Sequence, residues 1–320
     1  MMRALVLIPL VAGSIMLSPL RALATLPVLA DPAASESGQT RDVQVGRDAN
    51  DRMTVAVRVG ETGPYRFLVD TGAERTVISR QLASLLRLAP GAPARMQSVA
   101  GASNVTTADI PTLDVSTRRV SISGAPVLDE VHIGADGVLG VDSLASTRVM
   151  FDFKHGVMGI SSSLRDDGPD DPTTIVVEAR RRHGRLMFTR ALVDGITTSV
   201  VIDTGSEVTL GNAALRKRLL GRRPLGTMTQ LETVAGERIM VELATVNALD
   251  LDGVILKGML IAFADASVFR RLELDQRPAM LLGMNALRGF DKVSIDFATR
   301  RVKFGLPDSS ASDGPRLASD

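Results

Sequence analysis

The sequence predicts an all-β chain of two homologous lobes, with only a few short helices. Many segments alternate apolar and polar residues with period 2, as in MTVAVRVG at residues 53–60, which is typical of strands with one buried face. The tripeptide Asp-Thr-Gly follows an apolar run at Asp70 and again, 133 positions later, at Asp203. Other blocks recur after both copies in the same order, as a duplicated domain should show.

These recurring blocks mark the two lobes and the boundary between them. The matched pairs are SVAGAS (98–103) with TVAGER (233–238), GVLGVDSL (137–144) with MLLGMNAL (280–287), and the closing hairpins at 148–160 and 292–305. The segment between the repeats, 161–174, is polar and rich in turn residues, which is typical of a linker. We therefore predict an N-terminal lobe at 51–160, a C-terminal lobe at 175–306 and a disordered tail at 307–320.

Strands dominate the predicted secondary structure of both lobes. Residues 186–203 indicate two strands joined by a tight turn at Asp194-Gly195. The basic stretch ARRRHGR at 179–185 fits a solvated hairpin better than a docking patch for a partner. Helical patterns are short and are confined to residues 79–88, 212–220 and 264–272 and to the residues just after the Leu-Gly of each lobe.

The N-terminus predicts export from the cytoplasm. Residues 1–24 combine Arg3 near the start, a long apolar stretch and a small-x-small ending, which is the pattern of a cleaved signal peptide. Cleavage is expected after Ala24, or after Ala30 as a second possibility. Residues 25–50 then form a flexible leader. We expect a periplasmic or extracellular protein without a stable membrane span after cleavage.

The composition excludes several classes of function. The 37 basic and 36 acidic residues leave a net charge of +1, so there is no electrostatic reason to expect a nucleic acid partner. The chain has no Cys, which rules out disulfides, thiolate zinc sites and Cys nucleophiles. His132, His155 and His183 lack the spacing of metal ligands, so we expect no metal and no other cofactor. The motifs of serine hydrolases and nucleotide-binding proteins are also missing.

Both copies of the repeat resemble the active-site elements of the aspartic proteases, most closely their retropepsin-like branch, which includes bacterial members with an N-terminal signal. The resemblance rests on the apolar run before each Asp-Thr-Gly and on the apolar-apolar-Gly that ends at Gly140 and at Gly283. It covers most of residues 50–306. It implies a bilobal acid-protease fold, in which two β-barrel-like lobes are related by a pseudo-twofold axis and a monomer acts as a pseudo-dimer. The two motif glycines would pack beneath the Asp-Thr-Gly turns and support them.

A pseudo-twofold axis would bring Asp70 and Asp203 together at the interface between the lobes. Two carboxylates a few Å apart cannot both ionise, so one of them keeps a proton. One group could then act as general base on a water, while the other protonates the carbonyl oxygen of a peptide as general acid. The sequence thus predicts an aspartic endopeptidase acting on peptide or protein substrates, and it leaves open which Asp is protonated.

The resemblance also implies supporting roles for the rest of each tripeptide. Thr71 and Thr204 would hydrogen-bond across the interface and hold the two turns in register. Gly72 and Gly205 remove the Cβ atom where backbone and carboxyl groups must approach closely.

Each lobe is expected to carry a hairpin flap over the substrate, with Gly101 and Gly236 at the tips. Two flaps would match the retroviral enzymes rather than the single Tyr-bearing flap of pepsin, since the only tyrosine, Tyr65, precedes the first Asp-Thr-Gly. Plain hairpin glycines are the alternative interpretation.

The sequence departs from the viral pattern beside each active-site turn. Viral members commonly carry an Asp one place after the Ala, and it bonds substrate backbone and an Arg that follows the motif glycine. Glu74 and Glu207 occupy this place here, while Val141 and Met284 follow the glycines.

Three alternatives to a peptidase remain open from the sequence. The two Asp-Thr-Gly turns could simply close strands, or a duplicated lobe could have kept its fold and bind peptides without catalysis. A glycosidase also uses two carboxylates. That alternative fits poorly, because sugar sites favour aromatic residues and only 3% of this sequence is aromatic, with no Trp.

Overall fold

A computed structural model describes residues 45–47, 52–99, 101–116, 118–163, 174–182, 185–221, 226–233 and 235–307. The predicted signal peptide lies outside the described residues, as do most of the predicted linker and tail. Of the predicted leader, the structure describes only the short strand β1.

The first half of the described chain contains ten strands and three short helices. The strands are β1 (Val45–Arg47), β2 (Met53–Val59), β3 (Thr62–Val69), β4 (Val77–Ser79), β5 (Pro90–Gln97), β6 (Ala102–Val115), β7 (Arg118–Leu128), β8 (Gly137–Leu139), β9 (Thr147–Asp152) and β10 (Val157–Ser162). The helices are α1 (Arg80–Leu85), α2 (Glu130–Ile133) and α3 (Val141–Leu144).

The second half of the described residues follows the same order. The strands are β11 (Thr174–Glu178), β12 (Arg180–Arg182), β13 (Arg185–Val193), β14 (Ile196–Ile202), β15 (Thr209–Gly211), β16 (Thr227–Glu232), β17 (Arg238–Leu251), β18 (Ile255–Phe263), β19 (Ala279–Leu282), β20 (Lys292–Asp296) and β21 (Arg301–Gly305). The helices are α4 (Ala213–Leu220), α5 (Ser267–Arg271) and α6 (Met284–Leu287). Among the helices of the described ranges, none has the length and apolar character needed to cross a bilayer.

Each lobe is built on one eight-stranded sheet, and the two sheets have the same topology. The strand orders are β1-β2-β3-β8-β4-β7-β6-β5 and β12-β13-β14-β19-β15-β18-β17-β16. Additional pairing of β2 with β6, and of β13 with β17, curls each sheet back on itself. The predicted fold class is therefore confirmed: the chain is mostly strand and forms two homologous, barrel-like lobes.

A third sheet joins the two lobes. Its order is β10-β9-β20-β21-β11, so the closing hairpin of the first lobe lies beside that of the second. The central strands β9 and β20 are antiparallel, with Phe151 opposite Val293 and Val149 opposite Ile295. All four side chains are buried, and burial of such a side chain stabilises the fold by about 1.5–3 kcal/mol. The apolar alternation of the closing hairpins therefore holds the lobes together.

The same sheet topology explains why a buried strand ends on a carboxylate. In the first lobe β3 runs parallel to β8, with Val69 opposite Leu139, and the next backbone N–H, that of Asp70, donates to the carbonyl oxygen of Leu139 (3.0 Å). The N–H of Asp203 donates to the carbonyl oxygen of Leu282 in the same way, also at 3.0 Å. Each Asp thus begins the turn by which its strand leaves the sheet.

The predicted helices all occur, in slightly shorter form. Ser79 caps α1 by accepting from the N–H of Leu82, and Asn212 caps α4 by accepting from that of Leu215. The third predicted helix is α5, and α3 and α6 follow the motif glycines. The four-residue α2 was not predicted. The basic stretch forms part of the β12–β13 hairpin, as expected, but its last residue, Arg185, is buried and not solvated. Asp194-Gly195 joins β13 to β14.

Candidate active site

The two Asp-Thr-Gly turns meet face to face, and each places its carboxyl group against the other turn. A Cβ atom added to Gly72 would overlap with the carboxyl group of Asp203, and one added to Gly205 would overlap with that of Asp70. Only a residue without a side chain leaves this space. The structure therefore brings the two predicted carboxyl groups together at the interface between the lobes.

Four reciprocal hydrogen bonds of the threonines hold the turns in this position. The N–H of Thr71 donates to Oγ1 of Thr204 (3.1 Å), and the N–H of Thr204 donates to Oγ1 of Thr71 (3.2 Å). Each hydroxyl also donates across the interface, that of Thr71 to the carbonyl oxygen of Ile202 (3.0 Å) and that of Thr204 to the carbonyl oxygen of Val69 (2.7 Å). Both threonines are buried, so any of these donors or acceptors that lost its partner would cost the full desolvation penalty of that group.

The two carboxyl groups have different surroundings. Oδ1 of Asp70 accepts from the N–H of Gly72 (2.7 Å) and from that of Ala73 (3.0 Å), whereas Oδ1 of Asp203 accepts from the N–H of Gly205 at 3.2 Å. Asp203 is also the deeper residue, with 9% exposure, while Asp70 is half-buried. Because backbone N–H donors favour the ionised form of a carboxyl, Asp70 is the better placed of the two to carry a negative charge.

Asp203 is accordingly the member of the pair that holds the shared proton. Burial and the charge of Asp70 raise the pKa of Asp203 to about 7, and a hydrogen bond with the Asp70 carboxyl adds to the increase. The positive charge of Arg185 and the N–H of Gly205 oppose it. A neutral acid beside an anionic carboxylate is the arrangement that can deliver one proton and accept another.

A glycine lies directly beneath each active-site turn. A Cβ atom on Gly140 would overlap with the backbone of Arg75, and one on Gly283 would lie 2.7 Å from the carbonyl carbon of Val208. The motif glycines therefore pack where the resemblance placed them, against the segment that follows each Asp-Thr-Gly.

A polar pair that the sequence interpretation missed braces the turn of the first lobe. The backbone N–H and the Oγ1 of Thr76 donate to Oδ1 of Asp142 at 2.9 and 2.6 Å. Thr76 Oγ1 in turn accepts from the N–H of Gly140 (3.2 Å). The bonds tie the segment after the Asp-Thr-Gly turn to α3.

The second lobe repeats this brace with an amide in place of the carboxylate. The N–H and Oγ1 of Thr209 both donate to Oδ1 of Asn285 at 2.8 Å, and Thr209 Oγ1 accepts from the N–H of Gly283 at 3.1 Å. Thr76 and Thr209 share the 133-residue spacing of the two Asp residues. This shared spacing is the sequence signal from which the two threonines could have been predicted.

The two glutamates beside the turns both pair with arginines that no motif predicted. Glu74 is bonded to Arg271, which belongs to α5 of the opposite lobe. Glu207 accepts from Nη1 of Arg288 (2.7 Å), just after α6 of its own lobe. As in the viral pattern, the acid beside each turn thus pairs with an arginine, but the arginines come from other positions of the sequence.

The predicted flap glycines lie in the turns of two hairpins that cross to the opposite lobe. Flap 1, the turn between β5 and β6, contains Gly101, and flap 2, the turn between β16 and β17, contains Gly236. In flap 1 the carbonyl oxygens of Ser98 and Val99 accept from the hydroxyl and the N–H of Ser267, the first residue of α5. The side chain of Val99 packs with the apolar cluster of that lobe.

Flap 2 contacts the equivalent helix of the first lobe. Nδ1 of His132, in α2, lies 3.1 Å from Oε1 of Glu232 at the end of β16. Gly236 has φ +79, and a Cβ there would overlap with the His132 imidazole, so glycine serves both the turn and the contact. The two flaps also touch each other through Ser98 and Glu237.

A cavity of about 250 Å³ lies between flap 2 and the first lobe. Its lining mixes apolar side chains with polar and charged ones, among them the ion pair of Arg80 and Asp129 (2.8 Å). The lining residues are Arg80, Asn104, Val105, Thr106, Val127, Leu128, Asp129, His132 and Ala235.

The histidines occupy separate places. His132 faces flap 2, His155 contacts Asp152 (2.9 Å), and His183 lies outside the described residues. Among the residues that the structure describes, no three of the His, Asp and Glu side chains form a group suited to a metal ion.

A comparison with protein families agrees with this geometry. The model of the family described as aspartyl protease matches residues 55–143 and 189–286, one region in each lobe, and together they cover more than half of the chain. The matched regions include both Asp-Thr-Gly turns and both motif glycines. No curated protein matches the chain. The chain belongs to the aspartyl protease family and carries two retropepsin-like repeats.

Proposed function

We propose that this protein is an aspartic endopeptidase that hydrolyses peptide bonds with a water activated between Asp70 and Asp203. The observation that carries the proposal is the crossed arrangement of the two carboxyl groups, each lying against the glycine of the opposite turn. Their unequal surroundings support an assignment of roles. Asp70, with two N–H donors, is the general base, and Asp203, buried and protonated up to about neutral pH, is the general acid.

In the first step the water adds to the substrate carbonyl carbon. Asp70 takes one proton from the water as its oxygen bonds to that carbon, and Asp203 gives its proton to the carbonyl oxygen. The product is a neutral tetrahedral diol, and the single negative charge of the dyad has moved to Asp203. Since the charge never leaves the pair, a buried site with few counter-charges can support the step.

In the second step the diol collapses. Asp203 takes a proton from one hydroxyl, Asp70 gives its proton to the amide nitrogen, and the C–N bond breaks. An acid and an amine leave, and the dyad returns to its starting protonation. Over the two steps each carboxyl group accepts one proton and donates one. The proton balance of the reaction therefore requires no metal or other cofactor.

The flaps support binding of the substrate as an extended chain. The strands that lead into the flaps, β5 and β16, lie at the edges of their sheets among the described strands, and a free strand edge suits strand-like pairing with a peptide. Because the flaps contact α5 and α2 of the opposite lobes, closure would cover a peptide from both sides. The cavity beside flap 2 has the size for a medium-sized side chain, and its lining mixes apolar with polar and charged groups.

The test is hydrolysis of a mixed peptide library between about pH 3 and 8, with and without pepstatin. We expect inhibitor-sensitive cleavage by the wild type and loss of cleavage in Asp70→Asn and in Asp203→Asn separately. Asp194→Asn is the matched control, because Asp194 lies in the β13–β14 turn with φ 45, a conformation that Asn also adopts. Cleavage retained in either dyad variant would contradict the mechanism.

The same experiment separates the peptidase from a peptide-binding protein without catalysis. A binding module would retain peptides, with no turnover in the wild type at any pH. A glycosidase would leave the library intact and cleave oligosaccharides instead.

We also propose that the protein is exported, on the basis of the pattern in residues 1–24. N-terminal sequencing of the mature protein after expression with its own leader should start at Thr25 or Asp31. A mature chain that begins at Met1 would contradict this proposal.

A further inference from the structure

We propose that Arg185 is a positioning residue of the dyad, whose buried positive charge beside Asp203 sets how the shared proton is divided between the two carboxyl groups. The inference rests on the proposed function, and it gives a role to the last residue of the basic stretch at 179–185, which lies outside the Asp-Thr-Gly motifs.

The strand register places Arg185 next to Asp203. In the β13–β14 pair Met187 is opposite Val201, and continuing this antiparallel register by two residues brings Arg185 opposite Asp203. Residues that are opposite in an antiparallel pair have Cβ atoms about 4.5–5.5 Å apart and point to the same face of the sheet. The guanidinium group therefore starts from the strand next to the catalytic turn.

The surroundings of Arg185 leave its charge available to the dyad. The residue is 8% exposed, and its Nε is buried without a hydrogen-bond partner among the described residues. A buried cation is costly unless an opposite charge compensates it. Two carboxyl groups that together carry one negative charge supply that compensation.

The equivalent arginine of the first lobe is committed elsewhere. Arg52 lies 133 positions before Arg185, and the register that puts Thr54 opposite Leu68 puts Arg52 opposite Asp70. It is also buried, but its Nη2 donates to the carbonyl oxygen of Ile133 at the end of α2. The duplicated arginine thus has different surroundings in the two lobes.

The charges that act on Asp203 are those of Asp70 and Arg185. Glu74, the other acid of the opposing turn, is bonded to Arg271, and Glu207 to Arg288. Burial and Asp70 alone would make Asp203 a very weak acid that seldom releases its proton. Arg185 offsets that effect, so that the proton stays transferable near neutral pH.

The experiment follows the titration of Asp203 without relying on turnover. The carboxyl carbon of Asp203 in ¹³C-labelled protein, assigned by its absence in Asp203→Asn, is titrated in the wild type, Arg185→Met, Arg185→Lys and Arg52→Met. We expect the midpoint to rise by about one pH unit or more in Arg185→Met, as removal of a nearby charge at an effective dielectric constant near 20 requires. It should stay close to wild type in Arg185→Lys, which keeps the charge, and in Arg52→Met.

The pH dependence of kcat/KM for a cleaved peptide is the second readout. The alkaline limb should move upward in Arg185→Met by the same amount as the carboxyl midpoint. A titration shift without any turnover in the wild type would refute the peptidase function while confirming the coupling of Arg185 to Asp203. An unchanged midpoint in folded Arg185→Met would overturn the inference, and Arg185→Gln replaces this variant if it does not fold.

Discussion

At the scale of single residues, the site depends on two positions where no side chain fits. Gly205→Ala should lower kcat by about a hundredfold or more, because the added Cβ would displace the Asp70 carboxyl by a sizeable fraction of an ångström. Steady-state kinetics with the best library peptide measure the loss. Gly159→Ala is the matched control, since a Cβ there would lie 3.4 Å from Met150 Cε, an ordinary contact. Equal activity of Gly205→Ala and wild type would show that catalysis does not depend on the crossed arrangement of the two carboxyl groups.

The buried threonines predict a loss of stability as well as of activity. Thr204→Val removes the hydroxyl that donates to Val69 and accepts from the N–H of Thr71, and it leaves both groups unpaired in the interface. Each orphaned buried group costs about 1–3 kcal/mol, so the midpoint of urea unfolding should fall clearly. Thr204→Ser keeps the hydroxyl and should restore most of the stability. A Val variant as stable as the Ser variant would mean that the hydrogen bonds contribute nothing.

Residue-level prediction from sequence succeeded where the chain repeats itself. Asp70 and Asp203 stand out because each is surrounded by the same neighbours. The brace of Thr76 with Asp142 joins residues 66 positions apart, and Asn285 replaces the carboxylate in the second lobe. No local pattern predicts such a pairing, because it depends on where β4 and α3 meet in the fold.

At the scale of secondary-structure elements, the flaps are docked on helices of the opposite lobes. Ser267 of α5 holds the carbonyl oxygens of Ser98 and Val99 in flap 1. Ser267→Ala removes the hydroxyl bond and should loosen the closed flap. We expect faster amide hydrogen exchange at Gly101 and a several-fold increase in KM for an extended peptide, with the dyad itself unaffected.

Ser161→Ala, on β10 away from the flaps, is the control for this prediction. Unchanged exchange at flap 1 in Ser267→Ala would show that the apolar packing of Val99 holds the flap without the hydroxyl.

The elements themselves were largely predictable, and their crossing was not. Period-2 alternation and short helical patterns are local signals, and they located the strands and most helices. The four-residue α2 is too short to show a helical period. That α2 and α5 receive the flaps depends on the relative placement of the two lobes, which no single segment encodes.

At the scale of the whole molecule, the shared five-stranded sheet and the crossed Asp-Thr-Gly turns both join the two lobes. The sheet buries Phe151, Val293 and their neighbours between the lobes, and the threonines align the turns. The stability gained from apolar burial thereby offsets the cost of placing two carboxyl groups, one of them nearly fully buried, in contact.

The cost of burying the Asp203 carboxyl group beside Asp70 predicts how the free energy of unfolding varies with pH. The pKa of Asp203 is raised from its ordinary value of 3.8 to about 7 in the folded protein, by burial first and by Asp70 second. Between these two values the native state holds a proton that the unfolded chain releases. The contribution of Asp203 to stability is therefore fully present below pH 3.8 and is lost as the pH rises towards 7, at up to about 1.4 kcal/mol per pH unit.

Asp203→Asn removes this dependence, so the variant should gain stability relative to wild type as the pH rises from about 4 to 7. Asp296→Asn is the control of opposite sign. Burial alone would raise the pKa of Asp296, but hydrogen bonds from Ser163, Thr299 and Arg148 hold it below 3.8, so its contribution is present above that pH and is lost on further acidification. Urea unfolding at about pH 2.5 measures the effect of Asp296→Asn, and unfolding at pH 4, 5.5 and 7 measures that of Asp203→Asn. A stability difference between Asp203→Asn and wild type that does not change over this range would show that Asp203 is not the protonated member of the pair, because only a proton bound in the folded state can produce the slope.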